Sequence, residues 1–144
     1  RPAWNSWHTI ADFLLTAGVL GPTFAAAIGA GDAHLLALAA SSLACAHFAL
    51  IALRFLACIA SDSLELRGTA RLLSTQLAGV LLWRGGLLAV GAVVLPLAAE
   101  GVAVAAASLA LTLTAQLLGR YLFFVSVVPK HLAAAYLATA REAA

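Results

Sequence analysis

The sequence predicts an all-α integral membrane protein, a bundle of four transmembrane helices, and three observations carry that prediction. Apolar residues make up 64% of the chain and charged residues 10%, with a mean hydropathy of +1.03. One soluble core cannot hide that much apolar side chain, so lipid is the matching solvent. A bilayer core ~30 Å thick needs ~20 apolar residues per helix, and the 144 residues divide into four such stretches with short polar breaks.

The first stretch runs over 7–29 and closes in Gly29-Ala30-Gly31-Asp32. Pro22 within it predicts a kink, which neighbouring helices can accommodate in a membrane. The second covers 34–60, and the polar segment from Ser61 to Arg71 reads as the one long loop. The third covers 72–98, ends near Pro96 and turns at Glu100-Gly101. The fourth covers 102–128 and stops at Pro129, leaving an Ala-rich tail, 129–144, with the character of a short interfacial helix.

Four spans place both termini and the Ser61–Arg71 segment on one side, side A, and the two tight turns on side B. Arg1, Arg67, Arg71, Lys130 and Arg141 flank side A, whereas side B carries Asp32 and Glu100. The positive-inside rule then puts side A in the cytoplasm, with the chain in the inner (cytoplasmic) membrane. Trp4, Trp7 and Tyr136 fit an aromatic belt on that side. The start Arg1-Pro2-Ala3-Trp4 implies a processed or truncated beginning.

Several function classes drop out. Eight basic residues against six acidic ones are too few and too scattered for a nucleic-acid surface. Cys45 and Cys58 sit thirteen residues apart on one helix, so they do not pair. Bis-histidine haem ligation needs two histidines at one depth, but His8 and His131 lie at side A, His34 at side B and His47 alone near the middle. No metal, nucleotide or acyl-transfer motif is present.

Polar groups at membrane depth carry the remaining information, because each needs a partner or a wet cavity. Arg54, Arg84 and Arg120 are each six to ten residues from the side A end of their helices, hence roughly 9–15 Å deep. Asp12 is at comparable depth and is the nearest carboxylate for all three. Thr112, Gln116 and Arg120 form one stripe at i, i+4, i+8, and His47 and Arg54 share a face. These stripes are expected to look inward as one polar layer. The structural alternatives are an arginine that snorkels to the interface, an Asp12 that answers the helix dipole, and His47, Thr112 and Gln116 as helix-packing groups.

Two segments are more specific. Pro2-Ala3-Trp4-Asn5-Ser6-Trp7-His8-Thr9 resembles the lead-in to the fifth helix of the dimethyl sulfoxide reductase-type membrane anchor subunits, a family within the polysulfide reductase membrane subunit-like superfamily. Ala115-Gln116-Leu117-Leu118-Gly119-Arg120-Tyr121-Leu122-Phe123-Phe124 resembles the Gly-Arg-aromatic segment of that family's last helix, and Trp83-Arg84 is similar to its seventh. The resemblance implies helices five to eight of an eight-helix anchor, the other half coming from the rest of a longer chain or from a second one. It implies quinol or quinone exchange without haem in this chain, and electron transfer with an iron–sulfur subunit and a molybdopterin catalytic subunit. Arg54, Arg84, Gln116, Arg120, Asp12 and His47 are the candidates for quinone binding or the proton path, although the family position of Gln116 is commonly a Glu. A small membrane transporter or a purely structural membrane subunit is the competing reading.

Overall fold

The computed structural model describes residues 7–62 and 64–126, with the backbone alone at Leu64 and Glu65. The predicted tail 129–144, and with it Lys130, His131, Tyr136 and Arg141, lies outside the described residues, as do Arg1 and Trp4. Five helices account for the described chain: α1 (Trp7–Ala27), α2 (Ala33–Ala60), α3 (Leu64–Ser74), α4 (Ala78–Ala98) and α5 (Val102–Val125). There is no strand among the described residues. All but α3 are long and apolar enough to cross a bilayer, and the protein is a multi-pass membrane bundle.

Two expectations need correction. The segment after α2 is not a loop: Leu64–Ser74 is helical, and the third span begins at Ala78 rather than 72. Leu66, Ala70 and Leu73 recur at i, i+4, i+7, so one face of α3 can pack against the bundle while Arg67 and Arg71 stay outside. Pro22 lies inside α1, which runs unbroken through it.

The side B turns are built by conformation. Gly29 (φ 71°) ends α1, with Gly29 N–H donating to Ala26 O (3.1 Å) and Ala30 N–H to Ala25 O (2.8 Å). That left-handed glycine satisfies two terminal carbonyls of the helix. Asp32 then caps α2 by accepting from Leu35 N–H at 2.9 Å.

Inside the bundle the side chains are small or polar. Val19, Ala44, Leu88, Ala92 and Ala115 form the apolar centre, while Leu14, Leu82, Trp83, Leu117 and Phe124 point outward. Small residues let backbones approach where lipid supplies no hydrophobic drive between helices. α1 packs on α2 and α5, α4 packs on α5, and α2 meets α4 chiefly through the stretch from Val90 to Ala98. Towards side A, α3 bridges α2 and α4.

Within α4, Val90–Val94 widens into a π turn, with Leu95 N–H donating to Val90 O. Pro96 has no N–H to offer Ala92 O four residues back or Gly91 O five back. Flanking helices fill both positions: Ser41 Oγ donates to Ala92 O at 3.2 Å and Ser108 Oγ donates to Gly91 O. The two serines thereby keep the backbone satisfied where water is absent.

Candidate functional site

The polar residues predicted to share a layer converge in the side A half. Each helix delivers them from its inward stripe: Asp12, Thr16, Val19 and Thr23 in α1; Ala40, Ala44 and His47 in α2; Arg84 and Leu88 in α4; Thr112, Gln116 and Arg120 in α5. The spacing of three and four is what keeps each series on one face.

Asp12 is the hub. Its Oδ1 accepts from His47 Nε2 at 2.8 Å and from Arg84 Nη2 at 3.4 Å, and its Oδ2 accepts from Arg120 Nη1 at 3.1 Å. Arg120 Nη2 donates to Thr16 Oγ1 at 2.9 Å, and the guanidinium stands over Phe13, its Cζ 3.6 Å from the ring centroid. Thr16 Oγ1 is also 2.7 Å from Asp12 O and 3.2 Å from Gln116 Oε1.

His47 is fully buried, and Gln116 Nε2 is 3.4 Å from its Nδ1. An imidazole carrying its hydrogen on Nε2 satisfies both neighbours, donating to Asp12 and accepting from the Gln116 amide. Arg84 Nη2 is 3.3 Å from the same Nε2. With that nitrogen's hydrogen directed at Asp12, the arginine's donation goes to the carboxylate.

Gly119 explains how Arg84 reaches the hub. A Cβ at this position would stand 2.6 Å from Arg84 Cζ and 2.7 Å from Nε, so the guanidinium lies in the space a side chain would take. Arg84 is 92% buried, its relative exposure being 8%, and Nε has no hydrogen-bond partner among the described residues. The Thr112 hydroxyl, fully buried on the same stripe as Gln116, has none either.

Arg54 joins the site differently. It makes no ion pair with Asp12; its guanidinium stands 5.4 Å from the Phe123 ring centroid. It does line, with His8, Asp12, Cys58, Thr69, Arg84, Gly119 and Ser126, a cavity of about 70 Å³ that α3 closes through Thr69 and Leu73. A larger cavity of about 200 Å³ lies towards side B and is lined mostly by Ala, Leu, Val and Pro. Its hydroxyls are already committed, Thr23 to Val19 O and Leu20 O and Ser108 to Gly91 O. Glu100 is the one ionisable side chain among the described residues that line it, whereas the side A cavity gathers several, Asp12, Arg54 and Arg84 among them.

No family model, characterised protein or solved structure matches this chain. The geometry gathers Asp12, His47, Arg84, Gln116 and Arg120 into one network and leaves Arg54 on the cavity wall. Sequence reasoning missed Thr16, although its position four residues after Asp12 was a readable signal. It also missed Gly119 as the seat of Arg84, which depends on the crossing of α4 and α5.

A spectroscopic expectation follows from His47. Its two ring nitrogens are both engaged, by Asp12 and by Gln116, so no lone pair is free for iron. The purified, dithionite-reduced chain is expected to lack b-type Soret and α bands; a stoichiometric b-haem spectrum contradicts this.

Proposed function

We propose that this chain is the quinone-exchanging half of a membrane anchor subunit in a molybdopterin oxidoreductase. The observation that supports it is the buried Asp12–His47 pair, flanked by guanidinium groups, on the wall of the side A cavity. Oxidation of a quinol releases two electrons and two protons. The electrons pass to a partner iron–sulfur subunit and on to a molybdopterin catalytic subunit. The protons need a base beside the ring oxygen, and Asp12 is the one carboxylate among the described residues that line the cavity. Arg84 supplies a donor to a ring oxygen, His47 and Gln116 hold the base in place, and Arg120 acts through Asp12. The cavity has room for the oxygen-bearing edge of a ring, with Leu50, Leu73, Leu81 and Leu122 flanking its apolar part. Location in the inner membrane with side A cytoplasmic rests on Arg67 and Arg71 beside side A against Asp32 and Glu100 beside side B.

A transporter is the second reading, favoured by one feature: a cavity on each side of the apolar centre formed by Val19, Ala44, Leu88, Ala92 and Ala115. Identifying the chains that co-purify in mild detergent separates the classes, since iron–sulfur and molybdopterin subunits belong only to the first.

The test within the complex is Arg120→Ala. Quinol-dependent turnover, normalised to membrane-bound catalytic subunit, is expected to fall roughly tenfold, the scale of one lost charge-assisted hydrogen bond. Turnover with an artificial donor that feeds the catalytic subunit directly is expected to hold. If both rates fall together, Arg120 only pins α5; if neither falls, it leaves the site.

A further inference from the structure

We infer that the side A cavity engages its ligand through an ionised oxygen, so that it selects an anionic amphiphile over a neutral one of the same shape. This rests on the quinone-site reading for the ring, and on the charge inventory of the cavity for the anion. Three guanidinium groups, Arg54, Arg84 and Arg120, stand at or beside the cavity against one carboxylate among the described residues, that of Asp12. Both oxygens of that carboxylate are already taken, Oδ1 by His47 and Arg84 and Oδ2 by Arg120. Arg54 has no ion pair with any described carboxylate, and its guanidinium stands over the Phe123 ring. Positive charge is therefore in excess at membrane depth, where an uncompensated charge is costly.

Arg84 adds a second observation. It is 92% buried, its relative exposure being 8%, it lines the cavity, and its Nε–H has no partner among the described residues. A guanidinium edge with a free N–H is suited to an anionic oxygen, which forms shorter and stronger hydrogen bonds than a neutral carbonyl. Two sources share this chemistry: a ring whose hydroxyl is ionised, and the phosphate of an anionic lipid headgroup.

The experiment places the full chain in nanodiscs and measures binding of a hydroxylated naphthoquinone that is ionised at neutral pH beside its unhydroxylated parent. In phosphatidylcholine the ionised ring is expected to bind roughly tenfold tighter or more, the scale of a charge-assisted over a neutral hydrogen bond. Arg54→Gln is expected to shrink the preference and Arg84→Gln to abolish it; the wild-type comparison decides the matter even if Arg84→Gln fails to fold. Replacing the lipid by phosphatidylglycerol distinguishes the sources. Weaker binding of the ionised ring there assigns the site to headgroup phosphate as well, and unchanged binding assigns it to the ring oxygen alone. Equal affinity for the two rings overturns the anion inference and leaves the quinone reading standing. If neither ring binds but phosphatidylglycerol is retained through delipidation, the quinone reading fails and the anion inference stands. If neither is bound, both fall.

Discussion

Asp12→Ala is expected to destabilise the bundle by about 3–5 kcal/mol, the usual consequence of removing one partner from a buried ion pair. The loss is mainly electrostatic. Arg84, with a side chain 10% exposed, keeps its charge and loses the one carboxylate it has among the described residues, while Arg120, 23% exposed, can relax towards the interface. His47 also loses the acceptor of its Nε2 hydrogen. Unfolding of the chain in mixed micelles, followed by helical circular dichroism, measures the effect. A second variant identifies the cause: Asp12→Ala with Arg84→Met replaces both buried charges by apolar groups, and is expected to recover more than half of the loss. If the two substitutions add instead, Asp12 and Arg84 are not energetically coupled, and Asp12 contributes by packing or through Arg120.

The same cluster marks how much of the molecule was legible in the sequence. Depth could be counted along each stretch, and a charge in lipid needs a partner, so Asp12, Arg84 and Arg120 could be brought to one layer before any coordinates. The i, i+4 stripe of Gln116 and Arg120 similarly fixed which face of α5 looks inward. Arg54 satisfied the same depth count and lines the cavity, yet its guanidinium stands over Phe123 rather than at Asp12, because depth and face do not fix which partner a long side chain reaches. The segment that forms α3 reads as a polar loop from Gly68 and the charges at Glu65, Arg67 and Arg71; its helical form has the ends of α2 and α4 to pack against. The π turn was not visible either. Pro96 announced a break in hydrogen bonding, but whether a helix ends or bulges there is decided by Ser41 and Ser108, which come from other helices.

The closest approach of a described glycine to a neighbouring helix's backbone gives the second large effect. A Cβ added at Gly91 would stand 2.8 Å from Thr112 N and Oγ1 and 2.9 Å from Leu111 Cβ. The backbone nitrogen of α5 cannot rotate away, so in Gly91→Ala the two helices have to separate. Separation removes the Ser108 hydrogen bond to Gly91 O, which re-exposes the carbonyl that Pro96 cannot serve. It also moves Arg84, two turns along the same face of α4, away from the seat at Gly119. Overpacking and one lost buried hydrogen bond together amount to about 2–4 kcal/mol. Gly86→Ala in the same helix is the control, since nothing lies within 4 Å of its added Cβ, and the better helix propensity of alanine is expected to leave stability equal or raised by about 1 kcal/mol at most. Gly119→Ala lies between them: the atoms it meets are the end of the Arg84 side chain, which can withdraw at the cost of its hydrogen bond to Asp12. Its stability is expected to fall less than that of Gly91→Ala, whereas its quinol-dependent turnover falls more than its turnover with a direct donor. Equal stability of the Gly91 and Gly86 variants in mixed-micelle unfolding means that α4 and α5 do not touch at Gly91, and the packing that seats Arg84 then has to be redrawn.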